Sequence, residues 1–280
     1  MQQLSGKVAV ITGAASGIGR ALALELARAG CELALSDVNE EGLAESRARA
    51  EAAGAKVTSA RIDVADREAM YAWAERVVTD HGRANLVVNN AGVALGALIE
   101  HMTWDDFEWL MGINFWGVVH GTKAFLPHLK RARDGHIVNV SSVFGIIGVA
   151  TQSAYNAAKF AVRGFTEALR EELDLDDCGV SASCVHPGGI KTNIARNSRQ
   201  GGLGRLDRPR EQALADFDRT ARTTPEQAAR VIVAGVRRNR RRILIGADAY
   251  VIDAVQRLAP TGYQRLVTAA VRRAGGGPPA

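Results

Sequence analysis

The sequence predicts a single α/β domain in which a doubly wound, seven-stranded and mostly parallel sheet carries helices on both faces. Short apolar runs alternate with segments of helical period along most of the 280 residues. Strands that alternate with helices in this way are typical of a parallel sheet with helices on both faces. A chain of this length suits one large domain, and no stretch has the composition of an interdomain linker.

The first half of the chain shows the alternation most regularly. Strands that alternate with helices of this length are joined as βαβ units, and such units place the strands parallel in one sheet. We predict strands over residues 7–12, 32–36, 56–62 and 85–88, with helices over 18–29, 40–53 and 67–80 between them.

The second half continues with longer helices. Thr224 followed by Pro225 predicts a helix start, because threonine caps a helix and proline suits its first position. Segment 190–224 has no clear period and contains several glycines, so we expect a substrate-binding loop or lid, or else disorder. The predicted strands are 136–140, 180–185 and 242–245, and the predicted helices are 105–129, 153–175 and 225–239. The whole indicates a Rossmann-like domain of residues 1–247, followed by an extension of residues 248–280 with a flexible end.

Composition and charge argue against several classes of function. Aromatic residues make up only 5% of the chain, which disfavours a surface for stacking single-stranded nucleic acid, and we expect no nucleic-acid partner. The net charge of +5 comes largely from arginines late in the chain, which we interpret as a solvated face. The three cysteines lack the spacing of a disulfide framework or zinc site, so we expect no metal. The chain shows neither a signal-peptide pattern nor a membrane-spanning run, and we expect a cytoplasmic protein.

A glycine-rich turn between the first strand and helix is the first candidate site. Its glycines have the spacing G-x-x-x-G-x-G. Glycine allows a sharp turn and lets a phosphate approach backbone N–H groups, while the positive end of the following helix attracts the phosphate. A tight turn without a ligand would use the same glycines. As a dinucleotide site, the turn would contribute Gly13, Ser16, Gly17, Ile18 and Gly19.

The acidic residue Asp37 ends the second strand, 18 residues after Gly19. A carboxylate here accepts hydrogen bonds from the adenosine ribose hydroxyls and repels a 2′-phosphate. Neither lysine nor arginine stands at positions 16, 36 or 38 to bind that phosphate. Asp37 therefore favours NAD over NADP, and the alternative is an exposed acidic turn residue.

Two further strand ends fit the same pocket. Asp63 and Val64 end the third strand, where a carboxylate and the next amide can meet an adenine ring. Asn90, Ala91 and Gly92 follow the fourth strand, and small residues there let the chain pass close to a cofactor.

Tyr155 and Lys159 form the candidate chemical group. They lie four positions apart on the predicted helix 153–175 and therefore share a face. A free tyrosine has a pKa near ~10, which is high for proton transfer at neutral pH. A neighbouring ammonium and a nicotinamide cation favour the phenolate, so we expect a lowered Tyr155 pKa and an acid/base role. Taken alone, the pattern also fits a plain aromatic on the core face of a helix.

The ordered set of motifs resembles the short-chain dehydrogenase/reductase family. The glycine turn, the Asn90 segment, the Tyr155–Lys159 pair and the segment 186–188 occur in the family's order. The resemblance covers roughly residues 5–195, and the strand–helix rhythm extends it to about 246. It implies a single-domain Rossmann fold, an alcohol or ketone chemistry with NAD, and the catalytic residues Asn114, Ser142, Tyr155 and Lys159.

The resemblance also implies individual roles. Ser142 holds the substrate oxygen, and it is preferred to Ser141 because similar proteins place this serine 13 residues before the tyrosine. Lys159 tunes the tyrosine and hydrogen-bonds the nicotinamide ribose. Asn114 anchors a water that links the lysine to solvent.

The segment after the strand 180–185 is expected to cover the nicotinamide. His186 is interpreted as a packed residue rather than a catalyst. Pro187 and Gly188 bend the chain over the ring, and Ile190 and Thr192 contact its carboxamide.

Segments that flank the catalytic residues should line the substrate pocket. They are mostly apolar, and no lysine or arginine among them is placed to bind a carboxylate. We therefore expect an uncharged, fairly hydrophobic secondary alcohol or ketone. The expected lining residues are Ser142, Val143, Phe144, Gln152, Tyr155 and Gly188, with Val93, Ala94 and Ile194 beside them.

Three functions remain open from the sequence. The first is NAD-dependent interconversion of an alcohol and a ketone. The second is another reaction on the same fold with bound NAD, such as epimerisation, without net redox change. The third is a cofactor-binding scaffold without catalysis, against which the intact catalytic set argues.

Helices 105–129 and 153–175 resemble the pair that forms a four-helix dimer contact in the family, which implies a homodimer or homotetramer. The chain continues for 34 residues past Gly246, beyond the usual end of the family, and this puts the tetramer in doubt. Residues 248–274 mix apolar groups with arginines, so the extension would cover the active site, form an interface or rest on a membrane surface. We favour a covering or interface role.

Overall fold

The computed structural model describes residues 1–207 and 209–274. Strands and helices alternate over the first half as the sequence predicts. The elements of this half are β1 (Val8–Thr12), α1 (Gly17–Arg28), β2 (Glu32–Asp37), α2 (Glu40–Ala52), β3 (Val57–Arg61), α3 (Arg67–His81) and β4 (Leu86–Asn89).

The second half adds the remaining strands and the longer helices. The elements are β5 (Leu95–Gly96), α4 (Trp104–Met111), α5 (Gly117–Ala132), β6 (Gly135–Val140), α6 (Ser153–Asp176), β7 (Val180–Pro187), β8 (Arg199–Gln200), α7 (Arg210–Thr220), α8 (Pro225–Arg237), β9 (Arg242–Ile245), α9 (Ala247–Leu258) and α10 (Tyr263–Ala274). The predicted start of α8 is confirmed, because Thr224 and Gln227 form a capping box in front of Pro225.

Seven strands form one sheet in the order β3-β2-β1-β4-β6-β7-β9, and neighbouring strands are parallel throughout. Successive residues of β1 serve both faces: Ala9 and Ile11 join the core under α1, α2 and α8, while Val8 and Val10 join the core under α3, α5 and α6. This two-sided burial explains why the strand is apolar from Val8 to Ile11 without a break. The strand order reverses between β1 and β4, and ligands of doubly wound sheets bind at such a point.

The predicted helix 105–129 is not one regular helix. A π-helical turn, Gly112–Trp116, joins α4 to α5 and contains Asn114. Such turns carry one extra residue and are frequent at functional sites. The apolar period of the sequence continues through the turn and does not mark it.

The prediction that segment 190–224 is irregular is wrong over part of its length. The segment contains β8, a 3₁₀ turn at Gly204–Leu206 and α7. β8 pairs with β5 in a small second parallel sheet, which ties the segment to the chain after β4. No residue of α7 is buried, so its sequence lacks the apolar stripe by which a helix is recognised.

The extension past Gly246 forms α9 and α10. Tyr263 of α10 packs with Ile146 and Ile147 in a small apolar cluster, beside the chain that follows β6. Residues 275–280, where the sequence predicts a flexible end, lie outside the described residues. In the described ranges, no helix combines the length and hydrophobicity needed to cross a membrane.

The predicted dimer helices keep apolar side chains exposed. Trp116, Phe160 and Leu175 are 51%, 41% and 88% exposed, respectively. The homodimer or homotetramer stays a prediction.

Candidate active site

Ser142, Tyr155 and Lys159 meet at the carboxyl end of β6. Ser142 lies two residues after β6, while Tyr155 and Lys159 lie one turn apart in the first part of α6. The Ser142 side chain hydrogen-bonds the Tyr155 hydroxyl. The Lys159 Nζ lies 5.6 Å from the centre of the Tyr155 ring, and the lysine is only 3% exposed. The structure therefore brings together the three side chains that the sequence singled out.

The two neighbouring serines have different surroundings. The Ser141 hydroxyl donates to the Lys159 carbonyl oxygen at 2.8 Å, so it holds the backbone of α6. The Ser142 hydroxyl accepts the Phe144 N–H at 3.1 Å and faces Tyr155. Ser142 is thus the serine beside the tyrosine.

Burial controls the ionisation of this group. It raises the pKa of Tyr155 to about 12, and the hydrogen bond from Ser142 acts in the opposite direction. Burial also lowers the pKa of Lys159 to about 8. Desolvation of the phenolate has a larger effect on the Tyr155 pKa than the neighbouring protein groups have, so these groups alone do not lower it. The expected lowering also depends on the nicotinamide cation.

Asn114 and Lys159 lie on either side of Gly92. A Cβ on Gly92 would lie 3.3 Å from Asn114 Oδ1 and 3.6 Å from Lys159 Nζ. Both ends of the buried Asn114 amide bind the backbone of Val93, accepting its N–H and donating to its carbonyl at 2.8 Å each. The Lys159 ammonium donates to the Val140 carbonyl at 3.0 Å. Asn114 therefore fixes the chain after β4 against the lysine, and its predicted water stays a prediction.

His186 is a packed residue, as the sequence predicts, and it also supports Ser142. Its Nδ1 lies 3.0 Å from the Ser142 carbonyl oxygen, and its buried Nε2 has no partner among the described residues. Burial lowers the pKa of His186 to about 4, so the ring is neutral. A neutral ring beside a carbonyl oxygen must carry its proton on Nδ1 to donate. The sequence gives no signal for this bond, which joins residues 44 positions apart.

The glycine turn after β1 is required by close packing of the backbone. Gly13 has φ +67°, and a Cβ there would lie 2.7 Å from the Ala91 Cα. A Cβ on Gly19 would overlap the Gly13 carbonyl oxygen. The Asn90 amide donates to the Thr12 and Gly13 carbonyls at 3.0 and 3.1 Å. The segments after β1 and β4 are thereby joined at the point where the strand order reverses.

The first turn of α1 has the properties of an anion site. It contains no acidic residue, and the side chain of Ser16 makes no capping hydrogen bond. The N–H groups of a helix start that lack such a partner attract phosphate. Thr192 lies across this turn, with its Cγ2 3.1 Å from the position of a Cβ on Gly17. Thr192 therefore lies beside the glycine turn, and Ile18 and Gly19 follow Gly17 in the first turn of α1.

Asp37 lies at the end of β2 beside the glycine turn. Its two carboxylate oxygens accept the N–H groups of Ala15 and Asn39 at 2.9 and 3.0 Å. These bonds hold the carboxylate at the edge of the cleft. Arg20 is bound beside the turn: it donates to the carbonyl oxygens of Ala15 and Gly42 and to Ser46, and it pairs with Glu45 at 2.7 Å.

Comparison with known proteins identifies the family. Residues 7–202 match the family model described as short chain dehydrogenase. SadH of Mycobacterium tuberculosis, named as an oxidoreductase, is 50% identical over 275 residues, which cover 98% of each chain. The chain belongs to the short-chain dehydrogenase family. It is accordingly an oxidoreductase of that family, with the Rossmann-like fold that the sequence predicts.

Two further relatives of this dehydrogenase are informative. The C alpha-dehydrogenase of a Sphingobium species is 35% identical over 246 residues, covering 85% of this chain and 80% of that protein. A short-chain dehydrogenase/reductase of Burkholderia phymatum, whose crystal structure is described as a complex with NAD, has a TM-score of 0.83 and 30% identity. That comparison covers the whole of both chains.

Asp63 and Val64, which are predicted to meet the adenine ring, lie just after β3. The Asp63 carboxylate accepts the Ala65 N–H at 2.9 Å. Val64 is buried against α5, where its carbonyl oxygen lies 3.0 Å from the His120 Nδ1 and its side chain occupies the space left by Gly117. The contributions of His120 and Gly117 depend on the packing of α5 and were not visible in the sequence.

The substrate side is formed by the chain after β6. The Phe144 ring meets the Tyr155 ring edge to face at 6.0 Å, and Val143 is buried beside it. Gln152 forms an isolated bridge with Ala97, close to the small β5–β8 sheet. Phe144 thus contacts the Tyr155 ring, and Gly188 directly follows β7; the role of these residues in substrate binding stays a prediction.

Arg199 anchors the segment 190–224 on that side. Its guanidinium lies 3.7 Å from the centre of the Trp109 ring and 3.0 Å from the Asp106 carboxylate. The positive charge of Arg199 is thus already paired with residues of α4. The sequence does not reveal this contact, because it depends on the β8 pairing that brings the segment back to β5.

Proposed function

We propose that this protein is an NAD-dependent dehydrogenase that interconverts an uncharged, hydrophobic secondary alcohol and its ketone, with Tyr155 as acid/base. The observation that carries the proposal is the Tyr155 hydroxyl, hydrogen-bonded to Ser142 and placed beside the buried Lys159 ammonium. These groups serve proton transfer at an oxygen atom. NAD, when bound, supplies the hydride acceptor and a positively charged ring.

In the oxidation direction, Tyr155 accepts the hydroxyl proton of the alcohol. Burial raises its pKa to about 12, so the phenolate needs nearby positive charge at neutral pH. Lys159 supplies such a charge, because its pKa of about 8 leaves it mostly protonated at pH 7. Ser142 orients the substrate oxygen towards the tyrosine. In the reduction direction, Tyr155 returns the proton to the forming alkoxide.

Asp37 supports NAD rather than NADP as the cofactor. Its carboxylate is held by two N–H groups. In related folds, an acidic residue at the end of this strand binds the hydroxyl groups of the adenosine ribose. A 2′-phosphate at this place would be repelled. Arg20, the basic residue of α1 nearest to the turn in sequence, is paired with Glu45 and bound to Ser46. The NAD complex of the Burkholderia relative agrees with this choice.

The apolar surroundings of Tyr155 support a hydrophobic substrate. Phe144 and Val143 lie beside it, and the arginine nearest to this side, Arg199, is already bound to Trp109 and Asp106. No buried cation is thus offered to a substrate carboxylate among the residues described on this side.

The test combines a panel of hydrophobic secondary alcohols with the variant Tyr155→Phe. With NAD, the wild-type protein should form NADH, measured by absorbance, with at least one class of alcohol. Tyr155→Phe should lower turnover by about 100-fold or more, since general acid–base catalysis contributes roughly 10²–10⁴-fold. NADH binding, followed by fluorescence, should remain within about twofold. Tyr71→Phe, which changes an exposed tyrosine of α3, is the matched control.

Three results would contradict the proposal. Retained turnover in Tyr155→Phe would remove the acid/base assignment. Substrate turnover without net NADH formation would indicate a reaction such as epimerisation. NADH binding without turnover of any alcohol or ketone would indicate a cofactor-binding scaffold.

A further inference from the structure

Asp248, in the first turn of α9, contacts the turn that follows β7. Its Oδ2 accepts the Gly189 N–H at 2.7 Å. The preceding amide, that of Gly188, donates to the Ile245 carbonyl of β9 at 2.9 Å. Two consecutive N–H groups of the turn are therefore bound by the junction between β9 and α9.

Two glycines make room for this carboxylate. A Cβ on Gly188 would overlap both oxygens of Asp248, and a Cβ on Gly246 would overlap its Oδ1. Gly246 also has φ +92°, a conformation that favours glycine and directs the chain into α9. Gly188 was predicted as a cofactor residue; in the structure, the space left by its missing side chain is filled by Asp248.

The turn bound by Asp248 leads directly to the residues that close the cofactor cleft. Ile190 is buried and bridged to Thr223, whose N–H is bound by the Gly189 carbonyl at 3.3 Å. Thr192 lies against Gly17 of the glycine turn. The position of Gly189 therefore sets the course of the chain over the cleft.

We propose that Asp248 is a positioning residue for the nicotinamide half of the cofactor, acting through the Gly188–Gly189 turn. This inference rests on the proposed function, because it takes the chain after the turn to cover the nicotinamide. A hydrogen bond to an ionised acceptor is stronger than one between neutral groups, which suits a tether for a mobile segment. The extension past Gly246 thus contributes to the cofactor site through this turn.

The extension is itself anchored firmly enough to hold the turn. The Arg242 guanidinium of β9 pairs with the Asp253 carboxylate of α9 at 2.6 Å, and both side chains are mostly buried. The Tyr263 hydroxyl of α10 accepts the Gly148 N–H at 3.0 Å. The second contact lies in the chain after β6, so the extension is fastened on both sides of β7.

The experiment compares NADH with ADP-ribose as probes of the full-length protein. ADP-ribose has the adenine, the pyrophosphate and both riboses but lacks the nicotinamide ring. Asp248→Ala should weaken NADH binding about tenfold, or ~1.4 kcal/mol, and leave ADP-ribose binding within twofold. Asp248→Asn keeps an acceptor oxygen and should retain most of the NADH affinity. With a substrate alcohol, Asp248→Ala should raise the KM for NAD and lower kcat.

Asp105→Ala is the matched control, because Asp105 is an exposed carboxylate at the second position of α4, as Asp248 is in α9. It should change neither probe's binding. Equal losses of NADH and ADP-ribose binding in Asp248→Ala, or unchanged binding of both, would overturn the positioning role. Failure of Asp248→Asn to restore binding would also overturn it. If the wild-type protein bound neither probe, the proposed function itself would fall, which is a distinguishable result.

Discussion

Replacing Lys159 by methionine should make the protein more stable and inactive. The lysine is 3% exposed, and its ammonium donates to the Val140 carbonyl at 3.0 Å. A buried charge with few partners is costly to the folded state. Methionine has a similar length and no charge, so Lys159→Met removes this cost without leaving a large cavity.

The magnitude follows from the lowered pKa of Lys159. A change from 10.5 to about 8 corresponds to about 3 kcal/mol at ~1.4 kcal/mol per unit of pKa. Loss of the hydrogen bond to Val140 returns about 1 kcal/mol. We therefore expect Lys159→Met to raise the free energy of unfolding by about 2 kcal/mol at pH 7. Activity should fall with it, which is the usual conflict between stability and a strained active site.

The pH dependence of the stability difference shows whether the buried charge of Lys159 causes it. Below pH 8, Lys159 is protonated in both the folded and the unfolded protein, and the folded state bears the full cost. Between pH 8 and 10.5, only the unfolded protein holds the proton, so wild-type stability gains from each rise in pH. The advantage of Lys159→Met should therefore be largest at pH 7 and shrink towards pH 10, as measured by urea unfolding at several pH values.

The control is Lys123→Met, which changes an exposed lysine of α5. It should show no comparable gain at pH 7. A stability difference between Lys159→Met and wild type that stays constant from pH 7 to pH 10 would refute the reasoning. A loss of stability at pH 7 would refute it as well, because it would mean that the lysine's contacts outweigh the cost of its charge.

Two further predictions concern the cofactor and the serines. Asp37→Ala should raise the Kd for NADH about tenfold, through loss of charge-assisted hydrogen bonds to the ribose, and reduce the discrimination against NADPH; a wild-type preference for NADPH in the same titrations would contradict the role of Asp37. Ser142→Ala should lower kcat by about 100-fold or more with little change in melting temperature. Ser141→Ala should instead lower the melting temperature, because it removes the buried hydrogen bond from the Ser141 hydroxyl to the backbone of α6. Equal kinetic losses in both serine variants would contradict this division.

The fold could be predicted because its main signals are local. Most strands of the large sheet contain a short apolar run, and each helix of the first half begins soon after a strand ends. Strand β1 shows what the apolar pattern leaves open. The sequence indicates that both faces of the strand are buried, but only the folded sheet places Ile11 in one core and Val10 in the other. α7 was missed because a helix with no buried residue leaves no apolar period to recognise.

The candidate site divides in the same way. Tyr155 and Lys159 could be paired from the sequence because helix geometry alone places positions four apart on one face. The support of Ser142 by His186 and the filling of the Gly188 space by Asp248 join residues 44 and 60 positions apart, so they depend on the strand order. For Tyr155, spacing indicates a charged neighbour but does not reveal the desolvation that raises its pKa to about 12.

The sequence by itself determined the parallel α/β architecture, the glycine turn and the membership of Ser142, Tyr155 and Lys159 in one group. Local backbone geometry and apolar period are sufficient for the architecture, the glycine turn and the Tyr155–Lys159 pair, whereas Ser142 was added by the family resemblance. Only the tertiary structure decided the π-helical turn at Asn114, the small β5–β8 sheet and the contact of Asp248 with the turn after β7. Those features depend on which distant segments the sheet brings together and on how completely water is excluded between them.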